Sequence, residues 1–203
     1  MTACRNDESL YLDVIDAVLH LGRLGTGQLE SLKNLLEQGS SVWTLSPDAR
    51  SLQRRVEATA EDAFDLTIDP LDVASEELKQ AWGRAYTRDA DASDAWDHAI
   101  KAVEAALAPV VVPRQHKPQL GHVLGELRKT ALWQLELPGL EGSHSVEPVV
   151  AMLELLWPNP DRHGSSHERR IPTLEEAQAV VHLAITVVQW ARLNLIRRAP
   201  NAS

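Results

Sequence analysis

The sequence predicts an all-α protein, a helical bundle in which an N-terminal helical region precedes a C-terminal helical domain. Three observations carry that expectation. Apolar residues recur at spacings of three and four through most of the chain, the period of a helix with one buried face. Residues that cap helices stand where those periodic runs begin and end. Strand signals are scarce: the one compact β-branched run, Val110-Val111-Val112, is bracketed by Pro109 and Pro113 and reads as an extended connector.

From Ser9 to Leu21, the residues Leu10, Val14, Ile15, Val18 and Leu21 mark the apolar side of a first helix. A second is expected from about Gln28 to Glu37 through Leu29, Leu32, Leu35 and Leu36, with Gly39 as its stop. Ser46-Pro47-Asp48 has the form of an N-cap with proline at the first helical position, so a helix carrying Leu52 and Val56 is expected to follow. Ser75 is the expected cap for Glu76 to Tyr86, where Leu78, Ala81, Trp82 and Ala85 share a face. Residues 87–92 are polar and patternless, which places a boundary between a region 1–88 and a domain 92–203.

Ser93 then caps a helix over 93–108 in which Trp96, Ala99, Ile100, Val103 and Leu107 fall within an arc of roughly 100°. Glu104 lies beside that stripe and Lys101 further round. Three apart on one helix, these two read first as a surface ion pair. The alternative is that Glu104 braces the polar segment that begins at residue 158. Pro118 opens a short helix to about Thr130, and Ser145 another to about Trp157. Thr173-Leu174-Glu175-Glu176 is a capping box that opens a last helix over about 174–198. That helix is apolar almost all round, so it is either central in its own domain or buried against a second subunit. The six tryptophans sit on apolar faces and read as core.

Bulk composition narrows the function classes. The chain has 203 residues, 44% of them apolar, enough to fill a core without crosslinks. Cys4 is the single cysteine, which excludes an intrachain disulfide and fits a reducing, cytoplasmic setting. No charged segment followed by an apolar run opens the sequence, so no secretory signal is expected. The most apolar stretch, Ala177 to Ile196, is interrupted by His182, Thr186, Gln189, Arg192 and Asn194, so no membrane span is expected. A formal net charge of −9 argues against a broad coat for nucleic acid. It leaves room for an enzyme with a small basic cleft.

One segment concentrates chemistry. Pro-Asn-Pro-Asp-Arg-His-Gly-Ser-Ser-His-Glu-Arg-Arg, residues 158–170, has Gly164 near its centre and lies between two apolar helices. Composition alone reads it as a solvated interhelical loop. The functional alternative is that it presents Arg and His to a phosphate: arginine offers a planar fork for phosphate oxygens, and histidine exchanges protons near neutral pH. A metal held by His163, His167 and Asp161 is the weaker option, since there is no cysteine partner and no helical His-x3-His pair. No cofactor is expected.

Arg162-His163-Gly164-Ser165-Ser166-His167 has the Arg-x4-His spacing of the HEPN superfamily, and Asp97 to Ala106 resembles the first core helix of its abortive-infection members. Pro118-Gln119-Leu120-Gly121, the Leu156-Trp157 helix end, and Asp161 to Gly164 ahead of Ala179 to Ala184 follow in a similar order. The resemblance covers about residues 76–198. It implies a compact helical bundle that commonly dimerises, bringing two Arg/His loops into one cleft that cuts RNA without a metal. The 2′-hydroxyl attacks the adjacent phosphate and leaves a cyclic phosphate. Histidines would serve as base and acid, and Arg162 as charge stabiliser. The Arg-His-Gly run favours His163 and the spacing favours His167, so both remain candidates. Lys101, Glu104 and Asp161 are the expected supporting residues. The implied function is an endoribonuclease of antiphage defence, a homodimer with an RNA substrate and, as a further candidate partner, another defence protein. The alternative is a non-catalytic HEPN-like interaction or sensing module.

Overall fold

The structure, a computed structural model, describes residues 8–22, 24–69, 71–138, 144–161 and 170–200. Eight α-helices, one 3-10 turn (Thr130–Leu132) and four three-residue strands make up its regular elements among the described residues, so the class is mostly helical as expected. The strands form two separate antiparallel ribbons. No helix among the described residues is long and apolar enough to cross a membrane. The chain divides into two compact units, Met1–Glu57 with Tyr86–Ala90, and Ala58–Ala85 with Asp91–Ser203.

The first unit holds α1 (Glu8–His20), α2 (Thr26–Gln38) and a ribbon of β1 (Trp43–Leu45) and β2 (Leu52–Arg54). The helix expected after Ser46 is instead the turn of this ribbon. Ser46 Oγ donates to Asp48 Oδ1 (2.7 Å) and accepts from Ser51 N (3.1 Å), while Asp48 Oδ1 also accepts from Arg50 N (3.1 Å). The side chains that cap a helix also close a turn, and here the turn wins because Ala49 adopts a φ of +55° that no helix continues.

The face that α1 turns inward also differs from the expected one. Leu19 is buried, and Asp16 Oδ1 accepts from Leu52 N (2.5 Å), pinning that side of the helix to β2. Leu10, Tyr11, Val14, Val18 and Leu21 are left exposed on the other side.

Across the expected boundary at 88–92, residues through Ala90 fall in the first unit and Asp91 onward in the second. Residues 86–90 belong to the first unit for a visible reason. Thr87 bridges to Gln53, and Arg88 reaches the Ser9 carbonyl (3.3 Å) and Asp13 while its guanidinium lies over the Trp43 ring at 5.1 Å.

The second unit contains α3 (Ala58–Ile68), α4 (Val73–Tyr86, of which residues through Ala85 belong here), α5 (Ala92–Val111), α6 (Leu120–Leu127), α7 (Glu147–Leu156) and α8 (Leu174–Arg192). A ribbon of β3 (Trp133–Leu135) and β4 (Ile196–Arg198) completes it. α8 begins at the expected capping box, with Thr173 Oγ1 accepting from Glu176 N (3.2 Å). It ends at Arg192, earlier than expected: Asn194 takes a φ of +55°, and the chain then pairs with β3. Val180, Val181, Ala184, Ile185, Val187 and Val188 of α8 are all buried. Its all-round apolarity is therefore that of a helix central in its own unit, packed on α5, α3 and α7.

Two further boundaries move for local reasons. α4 is capped by Asp72, whose Oδ1 accepts from Ser75 N (2.8 Å); Ser75 is buried in the first turn. Val110 and Val111 extend α5 rather than forming a connector. Pro109 removes one N–H, but Val112 N still donates to Ala108 O (3.0 Å), and Val111 is 2% exposed. α3, which the sequence does not announce, is tied to α8 by Gln189 Nε2 on Thr67 Oγ1 (2.7 Å) and by Arg192, which reaches Thr67 O and Asp72. Phe64 stacks on Trp82 with ring centroids 4.2 Å apart, and His182 of α8 meets Trp82 edge-on at 5.8 Å. Of the six tryptophans, Trp82, Trp96 and Trp133 are buried, while Trp43, Trp157 and Trp190 are half-buried.

Burial lowers the pKa of His182 from its usual value, so its neutral form is favoured in the fold. The unfolded chain then binds more protons as pH falls through about 6.5, and that stability is lost on acidification towards the folded pKa. Thermal melts from pH 7.5 down to 5.5 should show a smaller loss of stability in His182→Gln than in the parent protein. Equal losses would mean that His182 is not the group responsible.

Candidate active-site loop and its anchors

Arg162, His163 and His167 lie outside the described residues, as does the whole of 162–169. Both stems of that segment are described. On the N-terminal side, α7 ends at Leu156, where Trp96 Nε1 of α5 donates to the Leu156 carbonyl (2.8 Å). This satisfies one of the carbonyls that a helix end leaves over. Asn159, 1% exposed, follows. Its Nδ2 donates to Asp97 Oδ1 (2.7 Å) and to Ser93 O (3.2 Å). Asn159 Oδ1 accepts from Asp161 N (3.0 Å), and Ser93 Oγ donates to Asp161 Oδ2 (2.8 Å).

Three residues from the first turns of α5, Ser93, Trp96 and Asp97, thus hold the chain from 156 to 161. Asp91, two residues before Ser93, is the helix cap and accepts from Asp94 N (3.0 Å), which leaves the Ser93 hydroxyl for Asp161. On the C-terminal side, Arg170 makes a two-pronged contact with Glu176, Nη1 to Oε2 at 2.6 Å and Nη2 to Oε1 at 2.9 Å. Glu176 also closes the capping box on Thr173 N (2.9 Å). Arg170 holds the Glu176 carboxyl below its usual range. Arg170 therefore belongs to the stem, and its charge is paired.

The supporting residues separate. Asp161 sits in the N-terminal stem, with one carboxylate oxygen on Ser93. Glu104 and Lys101 lie elsewhere on α5. Glu104 is eleven residues beyond Ser93, roughly 16 Å along the helix axis. Its Oε1 accepts from Leu120 N (2.6 Å), so it serves the first turn of α6 and not the root of the loop. Burial raises the Glu104 pKa, and the Leu120 bond and the charge of Lys101 partly offset that rise. The two line a cavity of about 400 Å³ with Glu77 of α4 and the residues that lead out of α5. Glu77 meets His98 Nδ1 at 2.5 Å in an α4–α5 contact that Arg84 and Asp94 extend at 2.9 Å. Among the described residues, no group of three His, Cys, Asp or Glu is placed to hold a metal ion.

Asn159, Asp97, Ser93 and Trp96 are the positioning residues that sequence reasoning did not single out. The available signal was a carboxylate beside Trp96 at the edge of an apolar stripe, and an asparagine between two prolines at a helix end. Each is a polar group that must find a partner if buried. Comparison with protein-family models, with curated proteins and with solved structures gives no match.

Asn159→Ala removes the bonds to Asp97 Oδ1 and from Asp161 N. It should cost about 1–3 kcal/mol in chemical denaturation of the second unit. A cost indistinguishable from zero would show that the 156–161 stem is held by something else.

Proposed function

We propose that the second unit is a HEPN-like helical domain and that the chain is a metal-independent endoribonuclease of abortive infection or toxin-like antiphage defence. The observation that carries this reading is the anchoring of an Arg/His segment at both of its stems. A plain surface linker needs no buried Asn159–Asp97 bond at one end and no two-pronged Arg170–Glu176 pair at the other. Groups that must meet a phosphate in defined positions need supports of this kind.

In the proposed reaction one histidine takes the proton of the RNA 2′-hydroxyl as its oxygen attacks the adjacent phosphorus. The bond to the 5′-oxygen breaks, and that oxygen takes a proton from a second histidine. The products are a 2′,3′-cyclic phosphate and a 5′-hydroxyl. Arg162 stabilises the charge on the phosphorane. His163 or His167 supplies base and acid, one from each subunit of a homodimer. The apolar faces of α8 are used inside its own unit, so the proposed dimer contact is taken to lie at the ends of the segment. Leu155 and Ile171 flank the segment there at 68% and 77% exposed. Asp161 acts as an anchor at the N-terminal stem, and Glu104 supports the first turn of α6.

Arg162→Ala should cut RNA cleavage by about a hundredfold or more, equivalent to roughly 3 kcal/mol of barrier, while helicity and melting temperature stay nearly unchanged. Of His163→Ala and His167→Ala, one should match it and the other should be mild. A chelator should leave cleavage as it is. Activity that a chelator removes and a divalent ion restores would replace this mechanism with a metal site. Equal inertness of parent and variants on every RNA would favour the non-catalytic module, a role the exposed apolar side of α1 would suit.

A further inference from the structure

Positive charge is segregated within this acidic chain. Between Pro113 and Leu135 stand Arg114, Lys117, Arg128 and Lys129 with one carboxylate, Glu126, and Arg197 and Arg198 follow near the C-terminus; of these, Arg128 is paired with Glu154 and Arg197 with Glu136. The β3–β4 ribbon joins the two groups, pairing Trp133 with Arg198 and Gln134 with Arg197. The Arg198 guanidinium lies over the Trp133 ring at 5.3 Å. It stands 3.6 Å from Glu126 Oε1, while Lys129 Nζ is 2.6 Å from Glu126 Oε2. A groove of about 530 Å³ opens here at the end of α5, lined by Arg114, Gln115, Glu126 and Arg198. Arg114 and Arg198 are exposed. Arg114, Arg198 and Glu126 thus line one concavity, and Lys129 pairs with the same carboxylate, in a chain whose formal net charge is −9.

We propose that this groove binds the phosphate backbone of single-stranded RNA as a docking site separate from the Arg/His loop. An arginine stacked on an indole keeps its plane fixed and offers its N–H fork to phosphate oxygens. Gln115 adds an amide of the kind that reads a 2′-hydroxyl or a base edge. The concave shape fits a strand better than a flat membrane surface. From Ser93, at the loop's root, to Val111, at the groove, is eighteen residues of α5, roughly 27 Å. The groove therefore lies well away from the described root of the loop. The choice of RNA among polyanions rests on the ribonuclease reading; the site itself does not.

Glu126 gives the test a change of opposite sign. Lys129 first, and then Arg198, hold its carboxyl below the usual range, so it is charged at neutral pH and repels phosphate. Binding of a labelled RNA strand long enough to span α5 is measured by anisotropy over a range of salt, in an Arg162→Ala background that does not cut it. Replacing Arg114 and Arg198 together by Gln should lower the log–log salt slope by about 1.4, at roughly 0.7 per phosphate contact. Glu126→Gln should tighten binding. The site is refuted if the parent does not bind RNA, if the slope is unchanged in the double variant, or if Glu126→Gln weakens binding. Competition by polyglutamate as strong as by RNA of equal charge overturns the assignment to RNA. Groove-dependent binding by a protein that never cleaves would refute the catalytic reading and leave the groove standing.

Discussion

The bond from Asn159 Nδ2 to Asp97 Oδ1 joins two side chains that are 1% and 5% exposed. Buried apart, a carboxylate and an amide would each lose their water with nothing in return. Together they oblige the chain leaving α7 to lie across the first turns of α5. The neighbouring contacts follow from that placement: Trp96 reaches the end of α7, Ser93 reaches Asp161, and Asp161 N closes back on Asn159. α5 also packs on α8 and α6, so the helix that holds the stem is the best supported in the unit. A loop hung from it inherits that rigidity at its root.

The rest of the second unit is organised around α8, on which α3, α5 and α7 pack. Polar groups secure this arrangement where apolar packing alone would let a helix slide. Gln189 and Arg192 address the end of α3, and Gln178 Nε2 donates to the Ala85 carbonyl at the end of α4 (3.0 Å). The first unit has a smaller apolar core among the described residues. Leu19 and Leu52 are its buried aliphatic residues among those described, and one side of α1 remains exposed. Small units with so little buried surface are marginal on their own.

The helices were legible because 3.6-residue periodicity and capping chemistry are local. The Thr173 box and the Leu29–Leu36 run could be read without knowing any partner. What depended on distant partners could not. Ser46 and Asp48 carry the same chemistry for a helix cap and for a turn, and the strand Leu52–Arg54 decides between them. Ile196–Arg198 continues an apolar helix by pattern, yet Asn194 stops it and Trp133–Leu135, some sixty residues away, captures it. The inward face of α1 is chosen by Asp16, a polar residue that periodicity counts as outward. The Arg/His segment stood out by composition alone; the contacts of its N-terminal stem did not, because Asn159 and Asp97 are 62 residues apart.

In the proposed function, the two ends of α5 divide the work: a held Arg/His segment at the N-terminal end and a basic groove at the other. Hydrogen–deuterium exchange across residues 157–176, with and without single-stranded RNA, tests this most directly. The account predicts slow exchange at the amide of Asp161 in the free protein, and new protection within 162–169 when RNA is added. Rapid exchange at Asp161, or an RNA-bound protein with no change anywhere in 162–169, would contradict it.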